Sequence, residues 1–369
     1  MRNKIAEFFK KEAVLIVSAI CALFTVFFMP PDKEYGSYID WHVLCLLLCL
    51  MAVVEGIKRI GAFRSMTYHI LKRINNGRIL AITMVMLPFF SAMLVTNDVA
   101  LLVFVPFTMA LLDKIGCHFA VIPMLVLQTI GANLGSMATP VGNPQNLFLY
   151  SAFELSISGF LQATLVLTLV SLAVLLAASF FLLPAKLPPM VLEKEEMENG
   201  NRLWVYAVLF VICLLTVFHI IPAVWMTIIV IVSIFILDKK LLKDLDISLL
   251  ATFICFFIVS GNLGRMEVIK VFLQDLLEKN TLLTSIATSQ VISNVPAAVL
   301  LSGFTEDWMG LLRGVNIGGL GTPIASLASL ITLKLYLRRK NAEGLKFLIV
   351  FLAANIVGLG ILILADSLL

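Results

Sequence analysis

Residues 131–141 read Gly-Ala-Asn-Leu-Gly-Ser-Met-Ala-Thr-Pro-Val, and residues 314–324 read Gly-Val-Asn-Ile-Gly-Gly-Leu-Gly-Thr-Pro-Ile. The identical positions are Gly131, Asn133, Gly135, Thr139 and Pro140 in the first copy and Gly314, Asn316, Gly318, Thr322 and Pro323 in the second. A second shared element precedes each copy, Thr96-Asn97-Asp98 in one case and Ser293-Asn294-Val295 in the other. Because glycine and proline interrupt helices, the pattern predicts two related halves, each with a broken helix.

The composition indicates that this repeat lies in a membrane protein. Of the 369 residues, 60% are hydrophobic and 14% are charged, and the mean hydropathy is +1.03. Soluble domains carry about 25% charged residues. Apolar runs such as 13–29, 203–221 and 347–365 approach the roughly 17–25 residues that cross a bilayer. The bases behind the net charge of +4 gather at the ends of such runs. The lipid bilayer is therefore the expected surroundings, and no nucleic-acid partner is expected.

We predict an all-α polytopic fold with about nine membrane-crossing helices. Their expected ranges are 12–29, 39–56, 119–150, 158–183, 203–221, 222–238, 247–264, 310–333 and 345–366. The repeated clusters break the helices at 119–150 and 310–333. Two further apolar stretches, 79–112 and 282–304, hold the Thr-Asn-Asp and Ser-Asn-Val elements, and we interpret both as re-entrant hairpins. Irregular backbone at membrane depth needs protein or an aqueous cavity around it, so the hairpin tips are expected to line a cavity.

The distribution of basic residues predicts the orientation. With the N-terminus in the cytoplasm, the inside segments hold 22 of the 27 Lys and Arg residues, as the positive-inside rule requires. The C-terminus then lies outside. The crossings at 39–56 and 247–264 run in opposite directions, so the repeats are inverted. We therefore expect a first repeat at 1–183, a cytoplasmic linker at 184–202 and a second repeat at 203–369, in the cytoplasmic (inner) membrane.

The paired clusters offer ligands for an anion and a cation side by side. A broken helix leaves free N–H groups at one half-helix and free carbonyl groups at the other, which attract anions and cations respectively. Asparagine amides donate and accept, and hydroxyls add further polar atoms. Such clusters at matching points of two halves are typical of a secondary transporter's binding site. The candidate binding residues are Thr96, Asn97, Asp98, Asn133, Thr139, Pro140, Asn143, Asn146, Ser293, Asn294, Asn316, Thr322 and Pro323.

This set suits a small anionic substrate that moves together with Na⁺ or H⁺. The repeated glycines Gly131, Gly135, Gly314 and Gly318 are expected to allow close approach of the backbone. We predict no cofactor and no catalytic residue, and the coupling Na⁺ is the one metal ion considered. Gln128, Gln290 and His219 lie near the clusters or at a helix end and are weaker candidates.

Two charged residues near the clusters allow alternative roles. Asp98 lies at the first hairpin tip, where the second hairpin has Val295. An intramembrane carboxylate indicates function by default, so Asp98 is interpreted as a proton carrier or a Na⁺ ligand, with an N-cap of Val99–Leu112 as the structural alternative. Arg313, one residue before Gly314, either attracts an anion at the outer mouth or anchors its helix at the interface.

These motifs resemble the ion transporter superfamily, which contains arsenite efflux pumps, Na⁺/H⁺ antiporters, and citrate and dicarboxylate:sodium symporters. Thr96-Asn97-Asp98 and Ser293-Asn294-Val295 resemble the paired Ser-Asn-Thr hairpin motifs of the symporters, with Asp and Val in place of the Thr. Phe104-Val105-Pro106 and Gly142-Asn143-Pro144-Gln145-Asn146 are more similar to the arsenite and antiporter branch, and most similar to small bacterial anion permeases. The resemblance implies an elevator-type carrier, commonly a homodimer, whose hairpin tips and broken helices bind the substrate.

The leading hypothesis is an ion-coupled secondary carrier of a small anion, which is not an enzyme. Arsenite or antimonite efflux and Na⁺/H⁺ exchange are the alternatives among carriers, although none of the six cysteines flanks the paired motifs. A channel would usually repeat its filter around a subunit axis. An intramembrane protease would need a Ser/His pair or two intramembrane aspartates, which the sequence does not offer. A nucleotide-binding Gly-x-x-x-x-Gly-Lys-[Ser/Thr] motif is absent from the sequence, which disfavours ATP-driven transport by this chain alone.

Overall fold

The computed structural model describes residues 13–186, 197–339 and 342–369. Within these residues the chain is helical, and its β structure is limited to an isolated bridge between Asn76 and Lys186. Most of the acidic part of the predicted linker at 184–202 lies outside the described residues, as does the start of the first repeat.

Nine α-helices make up the described part of the first half. They are α1 (Ala13–Phe28), α2 (Tyr35–Tyr38), α3 (Trp41–Arg59), α4 (Ala62–Leu71), α5 (Gly77–Ser91), α6 (Asn97–Lys114), α7 (Val121–Ser136), α8 (Pro144–Ala152) and α9 (Ile157–Phe180). Nine more follow in the described part of the second half. They are α10 (Arg202–Val217), α11 (Ala223–Asp238), α12 (Ile247–Gly264), α13 (Glu267–Lys279), α14 (Thr281–Ile292), α15 (Asn294–Ser302), α16 (Trp308–Ile317), α17 (Leu327–Leu337) and α18 (Gly344–Asp366).

Length and apolar composition identify a polytopic membrane protein. Five helical segments are long and apolar enough to cross a membrane: Trp41–Arg59, His118–Ser136, Ile157–Phe180, Ile247–Gly264 and Gly344–Asp366. Shorter apolar helices accompany them, among them α1, α5, α10, α11, α14 and α17. Large apolar side chains lie exposed on the outside of the protein, as in Phe27 and Trp204, which suits contact with lipid. The prediction of an all-helical membrane protein is confirmed at this level.

The predicted interruptions coincide with breaks between helices. The stretch 79–112 forms α5 and α6, and 282–304 forms α14 and α15. The stretches 119–150 and 310–333 form α7 with α8 and α16 with most of α17. Glycine and proline predicted the breaks of the two broken helices, whereas the Thr-Asn-Asp and Ser-Asn-Val elements within short apolar stretches predicted those of the hairpins.

Besides the four-residue α2, the short helices α4 and α13 were not predicted from the sequence. Each directly follows a long helix, α3 in one case and α12 in the other. Both are too short and too polar to cross a bilayer, so a search for apolar runs passes over them. Each has an apolar side: Phe63 of α4 packs against the core, while Val268 and Phe272 of α13 are exposed.

Helices of one half pack against helices of the other. Helix α1 lies on α12, and α11 lies on α3; likewise α6 packs on α17, and α15 packs on α8. Ion pairs of an arginine at the end of α3 and of an arginine just after α12 reinforce the packing of α11 on α3 and of α1 on α12. Arg59 pairs with Asp238 and Asp244, each at 3.3 Å, and Arg265 pairs with Asp32 at 2.8 Å. We call α1, α3, α10, α11 and α12 the frame, and α5–α9 together with α14–α18 the site unit.

Candidate functional site

The four helix breaks of the site unit lie against one another. Each hairpin tip comprises the turn between two helices and the first two residues of the second helix, which gives residues 92–98 in the first half and residues 293–295 in the second. The broken helices are interrupted at 137–143 and at 318–326. Within each half, the hairpin tip is fastened to the loop of the broken helix by matched hydrogen bonds.

The first matched pair joins backbone to backbone. The Asn97 N–H donates to the carbonyl of Gly142 at 3.1 Å, and the Asn294 N–H donates to the carbonyl of Ala325 at 2.9 Å. Gly142 and Ala325 occupy the same position one residue beyond the quoted repeat. The repeat therefore extends further in three dimensions than sequence identity indicates.

The second matched pair uses the repeated threonines. The Thr139 hydroxyl donates to the Met93 carbonyl at 2.5 Å, and the Thr322 hydroxyl donates to the Gln290 carbonyl at 3.2 Å. These carbonyls lie at equivalent places, three residues before Thr96 and Ser293. Both hydroxyls therefore hold a hairpin tip in place, a role that the sequence analysis did not consider.

The third matched pair crosses between the halves through the repeated asparagines. The Asn133 Oδ1 atom accepts from Ser326 Oγ at 3.0 Å, and the Asn316 Oδ1 atom accepts from Asn143 Nδ2 at 3.2 Å. Ser326 and Asn143 are the residues that precede α17 and α8. Each asparagine thus binds the beginning of the half-helix supplied by the other half, which explains why the clusters occur as a pair.

Further amide bonds extend these crossings. Asn97 Nδ2 donates to Asn133 Oδ1 at 2.9 Å, and Asn133 Nδ2 donates to the Gly319 carbonyl at 3.3 Å. On the other side, Asn316 Nδ2 donates to Asn146 Oδ1 at 2.7 Å. The Asn143 side chain caps α8 by accepting from the Asn146 N–H at 2.8 Å. All of these asparagines are buried.

The two hairpin tips converge on Gly319. Asn133, which binds the first tip through Asn97, also binds the Gly319 carbonyl. A Cβ atom added to Gly319 would lie 2.9 Å from Asn294 Nδ2, so the second tip touches the same residue. Gly319 does not belong to the sequence repeat, because the equivalent position in the first copy is Ser136.

The repeated glycines bring the broken helices against the first arms of the hairpins. A Cβ atom on Gly135 of α7 would lie 2.1 Å from the Phe89 carbonyl oxygen of α5. A Cβ atom on Gly314 of α16 would lie 2.6 Å from the Ser285 Cβ of α14. The close approach that these glycines permit is thus between helices. Pro140 and Pro323 lie in the loops that follow, and Pro144 is the first residue of α8.

Asp98 occupies the second position of α6 and does not cap it. The residue before the helix is Thr96, which makes no side-chain cap bond, and the Asp98 N–H donates to Asn97 Oδ1 at 3.0 Å. The Asp98 Oδ1 atom is enclosed and has no hydrogen-bond partner among the described residues. Asp246, which caps α12, lies within electrostatic reach. The N-cap alternative is therefore wrong, and the carboxylate is left with an open acceptor.

Arg313 is occupied by protein groups. Its guanidinium lies 3.3 Å from Asp366 of α18 and donates from Nε to the Ala163 carbonyl of α9 at 2.8 Å. The Arg313 and Asp366 side chains are 16% and 15% exposed. This pair joins α9, α16 and α18, which favours the anchoring role over an anion site at the outer mouth.

The buried polar residues of the described chain are all uncharged. They are Ser, Thr, Asn and Gln side chains, and the site residues Asn97, Asn133, Asn143, Asn146, Ser293, Asn294 and Asn316 are among them. Within the described residues, no three His, Cys, Asp or Glu side chains lie close enough together to hold a metal ion. The site can therefore act on a ligand through amides, hydroxyls, carbonyls and helix ends.

Comparison with known proteins agrees with this architecture. The family model described as "Citrate transporter" matches residues 5–306. The chain is 31% identical over 326 residues to "Inner membrane protein YbiR" of Escherichia coli, and the aligned region covers 87% of this chain and 86% of that protein. It is 31% identical over 309 residues to "Uncharacterized transporter MJ0456" of Methanocaldococcus jannaschii, and this alignment covers 82% of the chain and 83% of that protein. A shorter match, 33% identical over 134 residues, joins 36% of the chain to 27% of "Silicon efflux transporter LSI3" of Oryza sativa.

The family match spans well over half of the chain and includes both hairpin elements and the first broken helix. Two relatives above 30% identity cover more than four fifths of it. The resemblance read from the motifs is confirmed. The chain belongs to the citrate transporter family of the ion transporter superfamily and is an integral membrane transporter.

Proposed function

We propose that the protein is an ion-coupled secondary carrier that moves a small anion across the cytoplasmic membrane. The observation that carries the proposal is the convergence of two hairpin tips and two broken helices on Gly319. Such a centre, built from matched elements of two halves, is typical of a transporter's substrate site. The two halves are taken as inverted repeats, with the N-terminus inside and the C-terminus outside.

Free helix ends supply the attraction for an anion. Helices α6, α15 and α17 all begin at the site, after Thr96, Ser293 and Ser326, and none of these three residues makes a side-chain cap bond. The first two N–H groups of α6 and of α15 are already bound within the protein, so an anion would be attracted by the dipoles of these helices and by the N–H groups at the start of α17. Helix α8 differs, because Asn143 caps it. An anion held at these ends needs no lysine or arginine.

Coupling is assigned to Asp98. Its enclosed Oδ1 atom lacks a partner among the described residues, and a carboxylate oxygen enclosed without a partner is costly unless the group binds a proton or a cation. Protonation or Na⁺ binding at Asp98 would therefore stabilise the loaded site. The proposed cycle moves the anion and this cation together.

The separation of frame and site unit supports an elevator-type movement. The ion pairs of Arg59 and Arg265 fasten the frame to itself at two ends. The site unit touches the frame mainly through α8 on α3 and α15 on α12. We propose that the site unit slides along these contacts and that the frame of one copy packs against the frame of a second copy, forming a homodimer.

A direct test measures uptake into proteoliposomes. The purified protein is offered sulfate, phosphate, citrate, succinate or arsenite under an imposed Na⁺ or H⁺ gradient. We expect one of the anions to accumulate with one gradient, and to exchange without any gradient. Transport that ignores both gradients would reject the coupled carrier, and equal conductance for all the anions would indicate a channel.

Export of a neutral hydroxylated weak acid is the second candidate. The uncharged character of the buried polar groups favours it, because amides pair with hydroxyl groups that both donate and accept. One relative is named a silicon efflux transporter. Arsenite is largely protonated near neutral pH, so the same assay decides. Transport that rises with the neutral fraction of arsenite as pH changes supports export of the acid, and transport that rises with the anionic fraction rejects it.

A further inference from the structure

The layer on one side of the asparagine centre is polar, and its counterpart on the other side is apolar. One helical turn from Asn133 along α7, the Thr129 hydroxyl meets the Thr332 hydroxyl of α17 at 2.8 Å. Ser326, which binds Asn133, directly precedes α17 and lies between one and a half and two turns from Thr332. The interface of α7 and α17 therefore carries two polar crossings in succession.

A buried serine lies between these crossings. Ser329 of α17 is 1% exposed, and its Oγ atom has no partner among the described residues. Its position on α17, midway between Ser326 and Thr332, places it on the same side of the helix. Thr129 and Thr332 are equally buried. A buried hydroxyl without a protein partner calls for water.

A second polar contact lies beside the first, between α7 and the hairpin. Gln128 Nε2 donates to Thr108 Oγ1 of α6 and to the Met84 carbonyl of α5, both at 2.7 Å. The Met84 carbonyl is free to accept this bond because its helical partner would be the N–H of residue 88, which is a proline and has none. The Gln128 Oε1 atom is enclosed and unpartnered among the described residues. It needs a donor such as water.

The positions equivalent to Gln128, Thr129 and Thr332 are leucines, whereas those equivalent to Ser329 and Thr108 are Asn146 and Thr305. Alignment of the broken helices pairs Gln128 with Leu311, Thr129 with Leu312 and Thr332 with Leu149. All three leucines are fully buried in one apolar cluster. In the layer of these three leucines, the α16–α8 side of the centre is therefore apolar where the α7–α17 side has two hydroxyls and an amide.

We propose that Thr108, Gln128, Thr129, Ser329 and Thr332, together with bound water, form a proton path between Asp98 and the ends of α6 and α17 that carry Lys114 and Lys334. We call these five residues the polar file. This inference rests on the proposed coupling by Asp98 and adds the route and the ion. The positive-inside rule assigns that end to the cytoplasm.

The chemistry of the file suits a proton better than Na⁺. Each crossing brings together two to four oxygen atoms, whereas a dehydrated hard cation requires about six. Hydroxyls both donate and accept, so they can pass a proton along. In the transfer step the protonated Asp98 carboxyl gives its proton to a water molecule and remains as a carboxylate. The proton then moves along O–H groups and leaves as hydronium at the helix ends.

The test removes hydroxyls while preserving side-chain volume. The variant Thr129→Val/Thr332→Val is compared with Thr164→Val/Thr168→Val in α9, where the buried hydroxyls bond only to carbonyls of their own helix at 3.0 and 2.9 Å. We expect the first variant to lose about tenfold in the rate of pH-driven uptake, which corresponds to one hydrogen-bonded step. Its substrate exchange at equal pH should stay normal. The control variant should keep both activities.

A gain-of-function variant tests the same idea from the other side. Leu149→Thr/Leu312→Thr gives the apolar layer the hydroxyls of the polar file, and should raise proton leakage measured with a pH dye inside the vesicles. Normal pH-driven uptake in Thr129→Val/Thr332→Val would overturn the path. If Asp98→Asn also left pH-driven uptake unchanged, the proposed coupling itself would fail. Loss of coupling in Asp98→Asn alone would reject only the path.

Discussion

The two halves of the site unit share their fastenings and differ in their chemistry. In both, a hairpin tip donates its N–H to the loop of the broken helix, a threonine secures the tip, and an asparagine crosses to the other half. The first tip carries Asp98 where the second carries Val295. The α7–α17 side of the centre also has the hydroxyls of Thr129 and Thr332 where the α16–α8 side has leucines. Matched contacts therefore build the centre, and the unmatched residues decide what it does.

Removing the carboxylate should have the largest effect, because it makes the two tips alike. In Asp98→Val the first tip copies the second, and we expect gradient-driven accumulation to vanish while exchange continues. Asp98→Asn keeps the shape of the side chain and tests which ion is coupled. Loss of pH-driven accumulation indicates a proton, because the amide cannot titrate. Loss of Na⁺ dependence indicates Na⁺, because an amide is a poorer Na⁺ ligand than a carboxylate. Accumulation is measured in proteoliposomes.

The matched control for this charge is Asp275 of α13. It is exposed and pairs with Lys279 on the same helix. Asp275→Asn removes a carboxylate far from the centre and should leave accumulation unchanged. Full gradient-driven uptake by Asp98→Asn, equal to that of Asp275→Asn, would remove Asp98 from the mechanism.

The tip asparagines come next, and here the halves should behave alike. Asn97→Ala removes the amide that binds Asn133, and Asn294→Ala removes the amide that lies against Gly319. Each lost charge-assisted bond to ligand or ion costs about 1.5–3 kcal/mol, so uptake should fall by about tenfold or more in both. Both proteins should elute normally from a sizing column in detergent. Near-normal uptake in either variant would reduce that asparagine to a packing group.

Sequence reasoning located the breaks and their main residues but not their partners. Proline, glycine and asparagine clusters are local signals, so the broken helices and hairpins could be predicted. Asn133 binds Ser326, which lies 193 residues away, and no local pattern specifies that contact. Ser326 and Gly319 were missed because they replace Asn143 and Ser136 of the first copy, so the repeat loses identity where its geometry continues. Arg313 was ambiguous because its partner, Asp366, lies on another helix.

Packing at the glycines should give an intermediate effect on stability in both halves. Gly135→Ala and Gly314→Ala place a Cβ atom 2.1 Å from the Phe89 carbonyl and 2.6 Å from the Ser285 Cβ. Overpacking of this kind costs about 1–3 kcal/mol, so both variants should melt at lower temperature in detergent. Gly131→Ala is the control, because its nearest contact would be 3.3 Å. A Gly135→Ala protein as stable as Gly131→Ala would contradict the close approach of α5 and α7.

The smallest effect concerns the backbone of the tips, where the halves should respond in opposite directions. Ser293 has φ +77° and ψ 154°, a conformation that glycine adopts far more readily, whereas Thr96 has φ −60° and ψ 149° and is unstrained. Such strain costs about 1–3 kcal/mol, and glycine costs about 0.5–1 kcal/mol through chain entropy. Ser293→Gly should therefore stabilise the protein by about 1 kcal/mol, even though the Ser293 hydroxyl bond to Ala325 at 3.4 Å is lost.

Thr96→Gly carries the same entropy cost without any strain to relieve, so it should destabilise by about 0.5–1 kcal/mol. Thermal unfolding of the two variants in the same detergent measures the difference. Opposite shifts in melting temperature would show that the second tip stores strain that the first does not. Because residues held in rare conformations cluster at ligand clamps, we then expect substrate to shift the melting temperature of Ser293→Gly differently from that of Thr96→Gly. Equal shifts in the same direction would mean that the tips differ in side chain alone.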